Sequence, residues 1–154
     1  MNNCTHRQNS ALRYFFILFT LLTFGFINSA KAAEPLADNR EPIWLEPEEK
    51  AMILAEMRDF LAVSYKIIDA TLADDMQTVY KLAKKMGVAQ SQVVPEVTKK
   101  KLPSGFRAMG PAVHMTFEEM ADEAATLGDQ EVILRKLSQA QKTCVACHSV
   151  YRFE

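Results

Sequence analysis

DQEVILRKLSQAQKTCVACHSVYR, residues 129–152, is the segment that most clearly indicates the fold of this chain. Asp129 is a residue type that caps helix N-termini, and the apolar residues after it recur every three or four positions. This spacing predicts a helix with one apolar side, formed by Ile133, Leu137, Ala140, Cys144, Cys147 and Tyr151. Such a helix needs other helices to cover that side.

Three earlier segments have the same periodicity. Pro47, Glu48 and Glu49 suit the first turn of a helix that we expect to reach about residue 73. Its predicted inner stripe consists of Leu54, Met57, Leu61, Ser64, Ile68 and Leu72. A second helix should follow Asp74 or Asp75, and a third should run from Pro111 to Gly128.

Residues 88–111 are rich in proline and glycine, which predicts an irregular connector with one helical turn near residues 96–101. No stretch alternates strictly between apolar and polar residues, so no half-buried strand is expected. Four amphipathic helices predict an all-α fold, an antiparallel four-helix bundle over residues 47–154. The length of 154 residues fits a single domain.

Residues 1–32 have the layout of a secretory signal peptide. Arg7 and Arg13 precede an apolar run, residues 14–27, and the small residues Ala30 and Ala32 follow it. The run is shorter than the about 20 residues that span a bilayer. Cleavage after Ala32 would therefore leave a periplasmic chain without a membrane span, and a retained membrane anchor is the alternative. Cleavage would also remove Cys4 with the signal peptide.

Residues 33–46 are rich in proline and charge and predict an extended lead-in, with Trp44 as its one large apolar anchor. Cleavage removes Arg7, Arg13 and Lys31 but no acidic residue, so the mature chain would be mildly acidic. This charge argues against nucleic acid as a partner. The basic run 99–101 is expected to be a solvated face.

Cys144-Val145-Ala146-Cys147-His148 has the C-x-x-C-H pattern of covalent c-type haem attachment. Residues i, i+3 and i+4 share a helix face, so both thiols can reach the vinyl groups of one porphyrin while the imidazole meets the iron. The pattern predicts one haem c, bound through Cys144 and Cys147, with His148 as the proximal iron ligand.

Three other roles of the cysteine pair fit less well. A redox dithiol is expected in a βαβ unit, at a helix N-terminus that lowers the thiol pKa. A zinc site needs four ligands, and besides these cysteines and His148 the mature chain has only His114 as a further soft ligand, at a spacing unlike known zinc modules. A disulfide between Cys144 and Cys147 would close a loop too small to constrain the chain much.

A four-helix bundle with C-x-x-C-H in its last helix resembles the cytochrome c' class of class II c-type cytochromes. The resemblance covers about residues 46–154, and its specific part is CVACHSVYR, residues 144–152. It implies a periplasmic haem protein, often a homodimer, that exchanges electrons with redox partner proteins or binds nitric oxide or carbon monoxide at a vacant iron position. Arg58 resembles the family's first-helix arginine near the haem propionates.

The sixth iron ligand decides between these functions. Met57 is the main candidate, because it lies on the predicted inner stripe and methionine ligation raises the reduction potential. Met52 is a second candidate, although methionines also fill irregular cores. If Arg58 matches the family arginine, the distal position falls on Ala62 instead, which would leave an open pocket. His114 is a further candidate, and a buried, hydrogen-bonded histidine is the alternative there.

Arg152 follows His148 by four residues, so a continuing helix would place its guanidinium near a haem propionate; a surface arginine favoured by the helix dipole is equally compatible. Tyr151 and Tyr65 are expected to pack around the porphyrin. Few distal acid or base groups are available, so no enzymatic activity is expected. We therefore predict a periplasmic electron carrier, with a five-coordinate gas-binding protein as the alternative.

Overall fold

The structure is a computed structural model that describes residues 37–154. The predicted signal peptide, residues 1–32, and the first residues of the predicted lead-in lie outside the described residues. The described elements, in chain order, are β1 (Glu41–Ile43), α1 (Pro47–Leu72), α2 (Met76–Lys85), a 3₁₀ turn (Gln90–Gln92), α3 (Glu96–Lys99), α4 (Ser104–Thr126), α5 (Gln130–Val150) and β2 (Tyr151–Phe153).

The helices α1, α2, α4 and α5 form the predicted all-α bundle, and the fold class is confirmed. Capping interactions start three of them, and those at α2 and α5 were predicted. Glu46 and Glu49 form a capping box at α1, while the side chains of Asp75 and Asp129 accept backbone N–H groups at α2 and α5. Within residues 37–154, none of the helices is long and apolar enough to cross a bilayer.

The main core lies where α1, α2, α4 and α5 pack together. Its fully buried side chains include Ile67, Val79, Phe117, Met120 and Ile133. Burying such a side chain contributes about 1.5–3 kcal/mol. This core therefore holds the bundle together along most of its length.

The predicted inner stripe of α1 is wrong in part. Leu61 and Leu72 are each 73% exposed, whereas Val63, Ile67 and Ala70 are buried. The helix carries apolar residues on two sides, so hydrophobic periodicity alone does not identify the side that faces the bundle.

The connector predicted for residues 88–111 is also wrong at its end, because α4 begins at Ser104 and continues through Gly110 and Pro111. Proline removes one helical hydrogen bond, the one to the carbonyl of Arg107. Arg107 and Pro111 are both exposed, so water can satisfy this carbonyl. Gly110 has no Cβ to clash with the proline ring, which further lowers the cost.

Two short strands join the ends of the described chain and were not predicted. β1 and β2 pair in parallel, with Glu41 opposite Tyr151 and Ile43 opposite Phe153. Ile43 is only 2% exposed and forms a second, smaller core with Ile53 and Leu102. Strands of three residues are too short to show an alternating pattern.

The predicted anchor of the lead-in is wrong by one residue, because Trp44 is 71% exposed. Successive residues of an extended segment point to opposite sides, so burial of Ile43 turns Trp44 outward.

We expect Ile43→Ala to lower the free energy of unfolding by about 2–4 kcal/mol, because it leaves a cavity in the smaller core. Urea denaturation followed by circular dichroism measures this change. Trp44→Ala is the matched control and should change stability by less than about 0.5 kcal/mol. A larger loss for Trp44→Ala than for Ile43→Ala would contradict the assignment of the anchor.

Candidate functional site

A cleft of about 280 Å³ is lined by residues of α1, the first turn of α4, the end of α5 and β2. The structure brings together in it five of the predicted site residues, namely Met57, Cys147, His148, Tyr151 and Arg152. The cleft is open to solvent and slightly smaller than typical small-molecule sites. A large planar group bound here would keep one edge exposed.

The cysteine pair lies in the last turns of α5. Cys144 is exposed, Cys147 is half-buried, and both thiols are free. Burial raises the pKa of both thiols, and the neighbouring Cys144 adds to this effect at Cys147. A redox dithiol would need a lowered pKa, so these surroundings do not favour that alternative.

Within residues 37–154, no group of three or more histidine, cysteine or acidic side chains is placed to hold a metal ion. A disulfide is absent from the pair, since both cysteines are free.

The walls of the cleft suit a flat apolar group with acidic substituents. Leu54 and Met57 from α1 and Phe106 from α4 supply apolar surface. Phe106 packs edge-on against Tyr151, with ring centroids 5.8 Å apart. Cys147 and His148 also line the cleft, whereas Cys144 lies outside the lining, one helical turn before Cys147 on α5. Two free thiols one turn apart and the imidazole of His148 are a donor set that fits haem c.

Arg152 reaches the cleft by a different route from the predicted one. α5 ends at Val150, so Arg152 lies on β2 and does not share a helix face with His148. It nevertheless lines the cleft. Its guanidinium pairs with Glu154 and donates from Nε to the backbone carbonyl of Arg40 at 3.3 Å.

Other predicted residues lie outside the cleft lining. Arg58 and Tyr65 are exposed, and Ala62 and Met52 are half-buried elsewhere on α1. With 3.6 residues per turn, neighbours on a helix point about 100° apart. The turn that directs Met57 to the cleft therefore directs Arg58 away from it.

His114 is buried in the bundle, at 5% exposure, rather than in the cleft. Its Nδ1 lies 2.8 Å from the carbonyl of Met86, and its Nε2 lies 3.5 Å from Oε1 of Glu56. The ring of Phe60 packs against it, with centroids 4.9 Å apart. Both ring nitrogens thus face protein groups, which favours the structural role and disfavours iron ligation.

Two basic residues that line the cleft were not predicted by the sequence analysis. Arg40 belongs to the lead-in and Lys50 to the first turns of α1, and both line the cleft. Lys50 has no carboxylate partner among the residues that the structure describes. Single basic residues in a charged segment carry no signal of their own, and Arg40 reaches the site only through the strand pair.

A helical bundle whose last helix carries C-x-x-C-H beside an apolar cleft is the arrangement of a class II c-type cytochrome. The sequence model of the cytochrome c' family matches residues 61–152, which include the cysteine pair and His148. The chain belongs to the cytochrome c' family. No curated protein and no solved structure gives a significant match.

Membership makes the chain a haem-binding c-type cytochrome, in a family that is generally non-enzymatic. The match begins at Leu61, after Met57 and Arg58. The family therefore gives no direct alignment for the segment of α1 that faces the cleft.

The carboxyl group of Glu56 should make the stability of the protein depend on pH. Burial raises the pKa of this carboxyl group, and the nearby His114 opposes this shift only in part. Oε1 of Glu56 lies 3.5 Å from Nε2 of His114 but makes no hydrogen bond within residues 37–154. A raised pKa in the folded state means that stability is lost as the pH rises through that pKa. We expect Glu56→Gln to raise the free energy of unfolding by about 1 kcal/mol at pH 8.

Below about pH 3 the carboxyl group is neutral in the folded and unfolded chains, so the gain should disappear there. Thermal unfolding at intervals between pH 3 and pH 8 measures the difference. Glu48→Gln, on the exposed first turn of the same helix, is the control and should show no gain that grows with pH. A gain of equal size at both ends of the range would contradict the role of the buried charge.

Proposed function

We propose that this protein is a periplasmic monohaem cytochrome that transfers single electrons through a covalently bound haem. The observation that carries the proposal is that Met57 and His148 line one cleft from two different helices, α1 and α5. Two protein ligands for one iron favour electron transfer over ligand binding, because no coordination position is left open. Bound haem supplies the one-electron ferric/ferrous couple.

The residues of the chain have distinct roles in this proposal. Cys144 and Cys147 hold the cofactor through thioethers, and His148 is the proximal ligand. Met57 is the distal ligand and raises the reduction potential. Leu54 and Phe106 limit the access of water to the iron, which also favours the ferrous state, since a low-dielectric environment disfavours the extra charge of ferric iron.

A five-coordinate protein that binds nitric oxide or carbon monoxide is the second candidate. Leu54 lines the same cleft one helical turn before Met57. If Leu54 faces the iron instead, it leaves an apolar distal pocket without a ligand. The tests below separate these two functions.

The periplasmic location is supported by the pattern of residues 1–32 and by the usual location of the family. We propose redox proteins as partners, since a single-haem carrier must accept and deliver each electron. The homodimer implied by the resemblance stays a prediction.

Covalent attachment is tested on the denatured chain. The full chain, expressed in a host with haem-maturation machinery, should keep its haem through acid extraction and denaturing electrophoresis. The double variant Cys144→Ser/Cys147→Ser should lose it, because no thioether can form. Ser149→Ala, in the same turn, is the control and should keep the haem. A wild-type chain that releases its haem would refute the covalent site.

Met57→Leu tests the distal ligand. We expect the reduced wild-type protein to give a low-spin visible spectrum that does not change with carbon monoxide. The variant should become five-coordinate and bind the gas, and its reduction potential should fall by on the order of 0.1 V, since axial ligands set haem potentials over about 0.8 V.

Met52→Leu is the matched control, because Met52 lies on the same helix outside the cleft lining. Its spectrum should equal that of the wild type. If the wild-type protein already binds carbon monoxide and Met57→Leu changes nothing, the gas-binding function would be supported and the electron-transfer function would be refuted.

A further inference from the structure

Arg40 makes a contact that links the start of the described chain to the predicted iron ligand. Its Nη1 donates a hydrogen bond to the backbone carbonyl of His148 at 3.2 Å. The two residues are 108 positions apart in the sequence. The contact is therefore a feature of the tertiary fold.

The carbonyl of His148 is free to accept such a donor. The last carbonyls of a helix lack partners within the helix. The N–H of Tyr151 bonds to the carbonyl of Cys147, and the chain then leaves the helix for β2. If the helix continued, the N–H of Arg152 would donate a hydrogen bond to the carbonyl of His148, but Arg152 lies in β2. The guanidinium of Arg40 takes that place, and a cation is also favoured there by the helix dipole.

Asp38 orients this guanidinium. Its two carboxylate oxygens accept from Nε and Nη2 of Arg40 at 2.9 and 2.7 Å, and one also accepts the backbone N–H of Arg40 at 3.1 Å. These hydrogen bonds lower the pKa of Asp38 to about 2, so the carboxylate is charged at neutral pH. The fork fixes the plane of the guanidinium and leaves Nη1 directed at His148.

The backbone around Arg40 is held as well. The next three residues, β1, pair with β2, and the side chain of Ile43 is buried. The N–H of Glu154 donates to the carbonyl of Ile43 at 3.1 Å, and Nε of Arg152 donates to the carbonyl of Arg40 at 3.3 Å. Arg40 thus approaches α5 from a fixed backbone.

We propose that residues 38–43 form a proximal clamp, in which Arg40, oriented by Asp38, holds the carbonyl of His148 and so fixes the last turn of α5 and the orientation of the imidazole. Arg40 is a positioning residue in this proposal. The clamp rests on the proposed function, because the orientation of His148 matters when His148 is the proximal ligand.

The test compares four haem-loaded proteins: wild type, Arg40→Gln, Arg40→Lys and the control Arg135→Gln. Arg135 lies on α5, the helix that carries His148, and pairs with Glu131, so its variant removes an equal charge away from the site. Arg40→Lys keeps the charge, but one ammonium group cannot reproduce the fork to Asp38 together with the bond to His148.

Two measurements report on the clamp. Hydrogen exchange of the Tyr151 amide reports on the last turn of α5, and the paramagnetically shifted proton resonances of the His148 ring in the ferric protein report on the orientation of the imidazole. We expect both Arg40 variants to accelerate the exchange about 3- to 10-fold, as loss of one hydrogen bond predicts. Both should also shift the ring resonances, and Arg135→Gln should change neither.

Three results would overturn the clamp. If Arg40→Lys matches the wild type while Arg40→Gln does not, Arg40 acts through its charge alone. If neither Arg40 variant moves the ring resonances, the contact does not position the imidazole. If the wild-type chain has no attached haem, both the proposed function and the clamp are refuted. If the wild type carries haem and the Arg40 variants behave like it, only the clamp is refuted.

Discussion

The parallel pairing of β1 with β2 is the constraint on which the site depends. It ends α5 two residues after His148 and turns the chain out of the helix. Because of this turn, Arg152 and Tyr151 reach the cleft from a strand. The same pairing brings Arg40, more than a hundred residues earlier in the chain, against the end of α5.

The pair is stabilised mainly by burial, not by its few hydrogen bonds. Two strands of three residues are marginal in water without an apolar face to cover. Ile43 supplies that face, since it packs with Ile53 and Leu102. The ionic contacts of Asp38 with Arg40 and Arg152 are exposed and contribute little to stability, although they restrict geometry.

The sequence was sufficient for the features that local chemistry determines. Residue type and spacing predicted the cap at Asp129, a cap at Asp74 or Asp75, the start of α1 at Pro47, and the helix that carries Cys144 and Cys147. These signals act over one or two turns, so a single sequence contains them in full.

Features set by distant contacts could not be predicted in this way. α1 is apolar on two sides, and only packing against the other helices selects Val63 and Ile67 over Leu61. Ile43 and Trp44 are both apolar neighbours, and only the partner strand decides which one is buried. The family match, which begins at Leu61, likewise leaves open whether Met57 or Arg58 faces the cleft.

The distribution of buried surface explains why a covalent cofactor suits this end of the bundle. The main core has many fully buried side chains, whereas the smaller core beside the cleft has Ile43, Ile53 and Leu102, with Met57 and other side chains only partly buried against it. The smaller core beside the proposed iron ligands is thus the less extensive of the two cores. A planar apolar group seated in the cleft would bury Leu54, Met57 and Phe106 and stabilise the folded state through binding. The proposed thioethers would make that contribution permanent, because the group could not dissociate when this end of the bundle opens.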